Sequence, residues 1–145
     1  MTTSTAIANV LGGKRTLRTE PRTPAGWQAV VSKGVPFGAT EALKRRIAIG
    51  DDVLARLLGV SEKTLSRSRA ANARLGPVVS DRLFRVARIG ALAFEVLEGE
   101  AQAVHWLKQS QIGLGGSTPL ALLTTDVGSA EVEKLLLRIE HGVYA

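Results

Sequence analysis

The sequence contains no cysteine, which excludes a disulfide scaffold, thiol catalysis and a cysteine-ligated zinc site. It has only two histidines, His105 and His141, which lie too far apart in the chain to form a short-range pair of metal ligands. No apolar run approaches the ~18 residues of a membrane-spanning helix. The first six residues lack the basic start and apolar core of a signal peptide. We therefore expect a cytoplasmic protein with no metal, no cofactor and no membrane contact.

Charged residues are unevenly distributed along the chain. Residues 1–76 contain 13 basic and five acidic residues, whereas residues 77–145 contain six basic and eight acidic residues. A basic half is expected where a chain meets a polyanion such as nucleic acid, although a basic face exposed only to solvent has the same composition. The distribution predicts different roles for the two halves.

Periodicity favours helices throughout. Hydrophobic residues make up 45% of the 145 residues, which is enough for a folded domain. No segment alternates apolar and polar residues for long, and β-branched residues do not cluster between turn signals. We predict an all-α fold, a helical bundle with an N-terminal helix-turn-helix half and a C-terminal helical half. Its expected parts are a flexible arm that contains a short helix near Ile7–Leu11, with a docking helix around Trp27 (1–38), a helix-turn-helix region (39–76) and a helical domain (77–145).

Several helix ends in the second half carry local signals. Ser80 and Asp81 are expected to cap a long helix, and Pro119 suits the first position of a later one. Gly142 fits the C-terminal cap of the last helix. That helix is predicted to present one apolar face, formed by Val127, Val132, Leu135, Leu136 and Ile139.

Residues 51–69 match a helix-turn-helix. Ala55 supplies the small residue where the two helices cross, and Gly59 tolerates the positive φ of the turn. Ser61 can cap the second helix. The apolar residues with the spacing to fill the angle between the helices are Leu54, Leu58, Val60 and Leu65.

The second helix of this motif is predicted to meet DNA. Lys63 and Arg67 have the reach for base edges or phosphates, and Glu62 can accept from the amino group of cytosine. The full outward set is Ser61, Glu62, Lys63, Ser66 and Arg67. The candidate phosphate contacts around it are Lys44, Arg45, Arg46, Arg69 and Arg74. A helical corner used only for packing is the alternative, but the spacing and the basic half together favour DNA binding by a dimer that reads two half-sites.

No catalytic constellation is apparent. His105 stands beside Trp106 without a nucleophile or carboxylate at a suitable spacing. The glycines of residues 113–116 lack the following lysine and preceding strand of a phosphate-binding loop. We therefore predict no catalytic residue and no enzymatic activity.

Three segments of the second half occur in an order typical of one family. They are Trp106-Leu107, the Leu-Gly-Gly-Ser-Thr-Pro-Leu segment at 114–120, and the ending Arg-Ile-Glu-His-Gly-Val-Tyr at 138–144. In their order and separation, these segments resemble those of the toxin-binding domain of the Xre/ParS/MbcA antitoxins. The helix-turn-helix resembles the N-terminal half of the same proteins, so the resemblance extends over about residues 39–145.

This resemblance implies an antitoxin of a type II toxin–antitoxin system. Its partner would be a RES-domain toxin that attacks NAD+, and the antitoxin would also repress its own operon by binding operator DNA. Members of the family act within a larger toxin–antitoxin complex and place their C-terminal segment at or near the toxin's NAD+ site. The toxin-binding residues implied here are Arg138, Glu140, His141, Gly142, Val143, Tyr144 and Ala145. Two alternatives stay open: a frayed C-terminus, and a stand-alone helix-turn-helix regulator whose C-terminal half only dimerises.

Overall fold

The computed structural model describes residues 2–142, which form α-helices, one 3₁₀ turn and no strand, as the all-α prediction requires. The α-helices are α1 (Ser4–Val10), α2 (Gly13–Leu17), α3 (Pro24–Lys33), α4 (Gly38–Arg46), α5 (Asp51–Leu58), α6 (Glu62–Ala71), α7 (Pro77–Val96), α8 (Glu100–Lys108), α9 (Pro119–Leu122) and α10 (Asp126–Glu140). The 3₁₀ turn covers Ile112–Leu114. No helix among residues 2–142 is long and apolar enough to cross a membrane.

The N-terminal segment is folded, which differs from the flexible arm expected for it. Thr3 caps α1 by accepting a hydrogen bond from the Ala6 amide at 3.0 Å. The apolar side chains of α1 and α2 are buried in the common core, and α1 packs against α7. Helix α1 overlaps the short helix expected near Ile7–Leu11, whereas α2, with five residues, is too short for a helical period to be visible in the sequence.

Helix α3 docks through its one large aromatic residue. Trp27 is buried, and its ring centroid lies 4.9 Å from that of Phe84 on α7. Thr23 begins the helix by accepting from the Gly26 amide at 3.0 Å, with Pro24 in the first helical position. Helices α1 and α3 thus both pack against α7, whereas α2 packs against α1 and α4.

Helix α7 is the centre of the molecule and packs against α1, α3, α5, α8 and α10. It begins at Pro77, so the cap expected at Ser80 and Asp81 is wrong. Ser80 lies a turn inside the helix and is fully buried. Its hydroxyl accepts from the Val35 amide at 2.9 Å, which fixes the segment between α3 and α4. The hydroxyl is used for a long-range contact, and proline starts the helix instead.

The last helix faces the core with part of the predicted apolar stripe. Val132, Leu135 and Leu136 are buried, but Val127 is 77% exposed and does not belong to that face. At the first turn the buried position is Gly128, where an added Cβ would lie 2.1 Å from the Leu122 carbonyl oxygen. The turn between α9 and α10 is therefore too tight for any side chain at that position.

Candidate functional site

Helices α5 and α6 form the predicted helix-turn-helix. Gly59 ends α5 with a φ of +68°, the left-handed conformation that the motif needs. Ser61 caps α6 by accepting from the Thr64 amide at 3.0 Å. Leu54, Leu58 and Leu65 are buried between the helices. The local prediction for residues 51–69 is therefore confirmed at the turn, the cap and the packed residues.

The structure brings the predicted DNA-contacting residues together on one exposed surface. These residues occupy the cap and the first two turns of α6, and all of them are exposed: Ser61, Glu62, Lys63, Ser66 and Arg67. Leu65 points the opposite way into the core. We call this exposed set of residues the α6 surface.

An ion cluster fixes α6 against α4 and α5. Arg69 donates from Nε to Glu41 at 2.5 Å and from its two terminal nitrogens to Asp51 at 2.9 and 3.1 Å. Lys44 lies 2.9 Å from Asp51 and 3.2 Å from Glu41. The Arg69 guanidinium also stacks 5.5 Å above the Phe37 ring. The orientation of α6 is thus set by charged groups from three helices.

The same cluster shifts the pKa values of its members. Hydrogen bonds from Arg69 are the main cause that lowers the pKa of Glu41 and of Asp51 below the usual carboxyl range. The bond to Asp51 raises the pKa of Lys44, and the bond to Glu41 raises the pKa of Arg69. All four groups therefore stay charged near neutral pH.

Four of the five candidate phosphate contacts have partners inside the protein. Besides Lys44 and Arg69, Arg46 pairs with Glu100 at 2.6 Å, and Arg74 donates to the Gly34 carbonyl at 2.8 Å. Arg45 is exposed, and its side chain makes no hydrogen bond or ion pair within residues 2–142. The sequence could not distinguish these roles, because most of the groups that engage these cations lie outside the cation's own helix.

Three arginines on α7 link the two halves, and the sequence analysis missed them. Arg82 donates to the Leu58 carbonyl at the end of α5, and Arg85 donates to the Leu123 carbonyl at the end of α9 at 3.4 Å. Arg88 forms an ion pair with Glu133 on α10. Their three-residue spacing places them along one side of a helix. That spacing is visible in the sequence, but the partners are not.

The described part of the predicted C-terminal segment lies at the end of α10. Arg138, Glu140, His141 and Gly142 are all exposed. Gly142 has a φ of +70°, and its amide donates to the Ile139 carbonyl at 3.2 Å, which confirms the predicted cap. The remaining residues predicted for this site lie outside the described residues: Val143, Tyr144 and Ala145.

The glycine loop before α9 is a compact turn. The Gly116 amide donates to the Gln111 carbonyl at 2.9 Å, and the Gln111 amide donates to the Ser117 carbonyl at 3.0 Å. Thr118 then caps α9 by accepting from the Ala121 amide, and Pro119 takes the first helical position as predicted. No group of histidine and carboxylate side chains within residues 2–142 has the arrangement of a metal site. The loop is thus held by its own backbone hydrogen bonds and leads directly into α9.

Each half of the chain matches a known domain family. Residues 26–88 match the antitoxin Xre-like helix-turn-helix domain, and residues 92–142 match the antitoxin Xre/MbcA/ParS C-terminal toxin-binding domain. The chain is 28% identical to the protein named Antitoxin Xre of Photorhabdus laumondii over 79% of this chain and 78% of that protein. It is 34% identical to Antitoxin Xre of Yersinia enterocolitica over 62% of each.

A further relative extends over most of both chains. The chain is 30% identical to the Prs ADP-ribosylating antitoxin of a Sphingobium species, over 80% of this chain and 79% of that protein. The two matched domains meet within α7, the helix whose arginines contact both halves.

Proposed function

The chain belongs to the Xre/MbcA/ParS family of antitoxins, and from that premise we propose that it neutralises a RES-domain toxin by covering the toxin's NAD+ site with its C-terminal segment. The observation that carries this proposal is the match of residues 92–142 to a toxin-binding domain. The last matched residue, Gly142, lies just after the end of α10. We propose that the antitoxin acts by binding alone and catalyses nothing.

The chemistry of the C-terminal segment supports occlusion of a nucleotide site. Residues 138–145 contain Glu140 and the aromatic Tyr144 within a few residues of one another. A carboxylate can pair with the cations that would hold a pyrophosphate, and a tyrosine ring can fill an apolar pocket. Gly142, two residues after the end of α10, has a φ of +70°, which does not continue the helix.

A second line of support comes from the name of the Sphingobium relative, which refers to ADP-ribosylation of Prs. ADP-ribosylation takes its ADP-ribose from NAD+, so a toxin of that kind also has an NAD+ site. We propose that the partner of this chain uses NAD+ as well, either by degrading it or by transferring its ADP-ribose to a protein.

The N-terminal half supports a second activity of the same molecule. We propose that the α6 surface binds operator DNA and that the antitoxin represses its own operon as a homodimer within a larger toxin–antitoxin complex. The exposed Lys63 and Arg67 on a capped, rigidly held helix support this proposal. A dimer is needed because one helix of this size contacts only a half-site.

Capture of the native partner tests the proposal directly. The tagged chain would be purified from its own cytoplasm, and NAD+ loss would be measured before and after partial denaturation separates the bound proteins. We expect a stoichiometric partner that consumes NAD+ only when freed. Recovery of DNA and of the chain itself, without a second protein, would contradict the antitoxin proposal and indicate a stand-alone regulator.

A further inference from the structure

The outer side of α2 carries cations that neither matched domain includes. Lys14, Arg15 and Arg18 are exposed, and their side chains make no hydrogen bond or ion pair within residues 2–142. Residues 2–19 contain no acidic residue, and the first matched domain begins only at residue 26. These three residues, which we call the α2 cations, are therefore a concentrated positive charge without an internal partner.

The folded N-terminus holds these cations in place. Leu17 is buried in the core, and Thr16 lies against α4, where a Cβ on Gly38 would approach its methyl group to 3.2 Å. On α1, the Asn9 carbonyl accepts from Arg46 of α4 at 3.1 Å. Because α2 is fixed against α4 by these contacts, its charges are presented by a rigid surface rather than by a mobile tail.

Helix α4 lies between α2 and the helix-turn-helix. Its Gly38 faces α2, and its Glu41 binds Arg69 of α6. The exposed Arg45 is four residues after Glu41 and so lies one turn further along the side that meets α6. Helix α4 packs against α2 and against α5, and its Glu41 also binds Arg69 of α6, so α4 connects α2 to both helices of the motif.

From this arrangement we infer that the α2 cations and Arg45 form a second nucleic-acid contact, which binds the phosphate backbone beside the site of the α6 surface. The inference rests on the proposed DNA binding and adds a part of the molecule outside the matched domains. Lysine and arginine without internal partners release counterions when they meet phosphates, so this contact contributes affinity and salt dependence without sequence preference.

The test is a salt titration of DNA affinity with the full-length chain. The probes are a short duplex from the region upstream of the chain's own gene and a shuffled duplex of the same composition. The triple variant Lys14→Gln, Arg15→Gln, Arg18→Gln is compared with the double variant Arg15→Lys, Arg18→Lys, which keeps the charge. A remote double variant outside α2, Lys33→Gln, Lys134→Gln, removes two exposed charges where the triple variant removes three, so the changes in slope are compared per charge removed.

We expect the triple variant to lose at least tenfold in affinity for both duplexes. The slope of log affinity against log salt should become shallower by about 0.9 for each lost phosphate contact. The charge-preserving and remote variants should keep the slope of the original chain. Circular dichroism should be unchanged, because the substituted side chains are exposed.

Two results would overturn the inference while leaving the proposed function intact. One is an unchanged slope in the triple variant, alongside weakened binding by a Lys63→Ala, Arg67→Ala variant. The other is unchanged DNA binding with loss of the captured toxin, which would assign the α2 cations to an acidic protein surface. If the original chain binds neither duplex at any salt concentration, the proposed DNA binding fails together with this inference.

Discussion

The guanidinium of Arg82 on α7 donates a hydrogen bond from Nη1 to the carbonyl oxygen of Leu58 at 3.0 Å. That carbonyl is at the C-terminal end of α5, where the helix dipole favours a cation. The next residue is Gly59, where an added Cβ would lie 2.6 Å from the same Nη1 atom. The turn of the helix-turn-helix is therefore closed from outside the motif, by the helix that also contacts the C-terminal half.

Replacement of Arg82 by methionine should destabilise the protein by about 1–2 kcal/mol, because a half-buried, charge-assisted hydrogen bond is lost. Urea unfolding followed by circular dichroism measures this change. Arg56→Met is the matched control, since Arg56 is exposed and only 3.8 Å from the equally exposed Asp52. The control should lie within about 0.5 kcal/mol of the original chain. Equal effects of the two substitutions would show that Arg82 does not hold the turn.

Glycine-to-alanine substitutions at two positions should change stability in opposite directions. Gly59→Ala places a side chain at a φ of +68° and against Arg82, so we expect a loss of about 1–2 kcal/mol. Gly90→Ala is in the middle of α7, where the nearest atom to the new Cβ is a methyl carbon of Ile47 at 3.9 Å. Alanine there should stabilise the helix by about 0.5–1 kcal/mol. Thermal melting of both variants checks the signs, and a destabilised Gly90→Ala would contradict the packing described for α7.

The ion cluster around Arg69 should make stability depend on acid pH. The pKa of Glu41 and of Asp51 is lowered in the folded protein, so their contribution is complete above the ordinary values of 4.5 and 3.8. It is lost as the pH falls from about 5 towards the lowered folded-state pKa values. Urea midpoints measured from neutral pH down to about 3 should fall less steeply for Arg69→Met than for the original chain. Arg67→Met, in which an exposed arginine is removed, should keep the original slope.

Removal of Lys63 or Arg67 should reduce DNA affinity, whereas removal of Lys134 should not. Lys63→Ala and Arg67→Ala should each weaken binding by about 1–3 kcal/mol where a base edge is contacted, or reduce the salt slope by about 1 where a phosphate is contacted. Lys134→Ala on α10 should change neither quantity, because that side chain is exposed on the other half. Fluorescence anisotropy with the upstream and shuffled duplexes measures both. Equal effects at all three positions would indicate only a change in net charge.

The sequence predicted the parts of the fold that depend on local chemistry. The turn at Gly59, the cap at Ser61, the first-turn proline at 119 and the release at Gly142 all follow from residues within a few positions of one another. The all-α class followed from the absence of long segments in which apolar and polar residues alternate. These features were accessible because each depends on the backbone preference of one or two residues.

Long-range partners decided the features that the sequence did not predict. Ser80 fits the sequence pattern of a helix cap, but its hydroxyl accepts a hydrogen bond from the Val35 amide, 45 residues away in the chain. Arg69 has the appearance of a phosphate contact, but Glu41 and Asp51 engage it. Val127 fits the apolar stripe of α10, but the tight approach of Leu122 reserves the buried position for Gly128. In each case the residue fits the local pattern, but a group distant in the chain determines which contact it makes.

The measurement that tests the central claim most directly is NAD+ consumption by the captured toxin in the presence of two forms of this chain. One form is complete, and the other lacks residues 139–145; a milder variant that lacks only 142–145 leaves α10 whole. We predict that the complete chain protects NAD+, whereas both truncated forms fail to protect it and still bind DNA. Full protection of NAD+ by the truncated forms would contradict occlusion of the toxin site by the C-terminal segment.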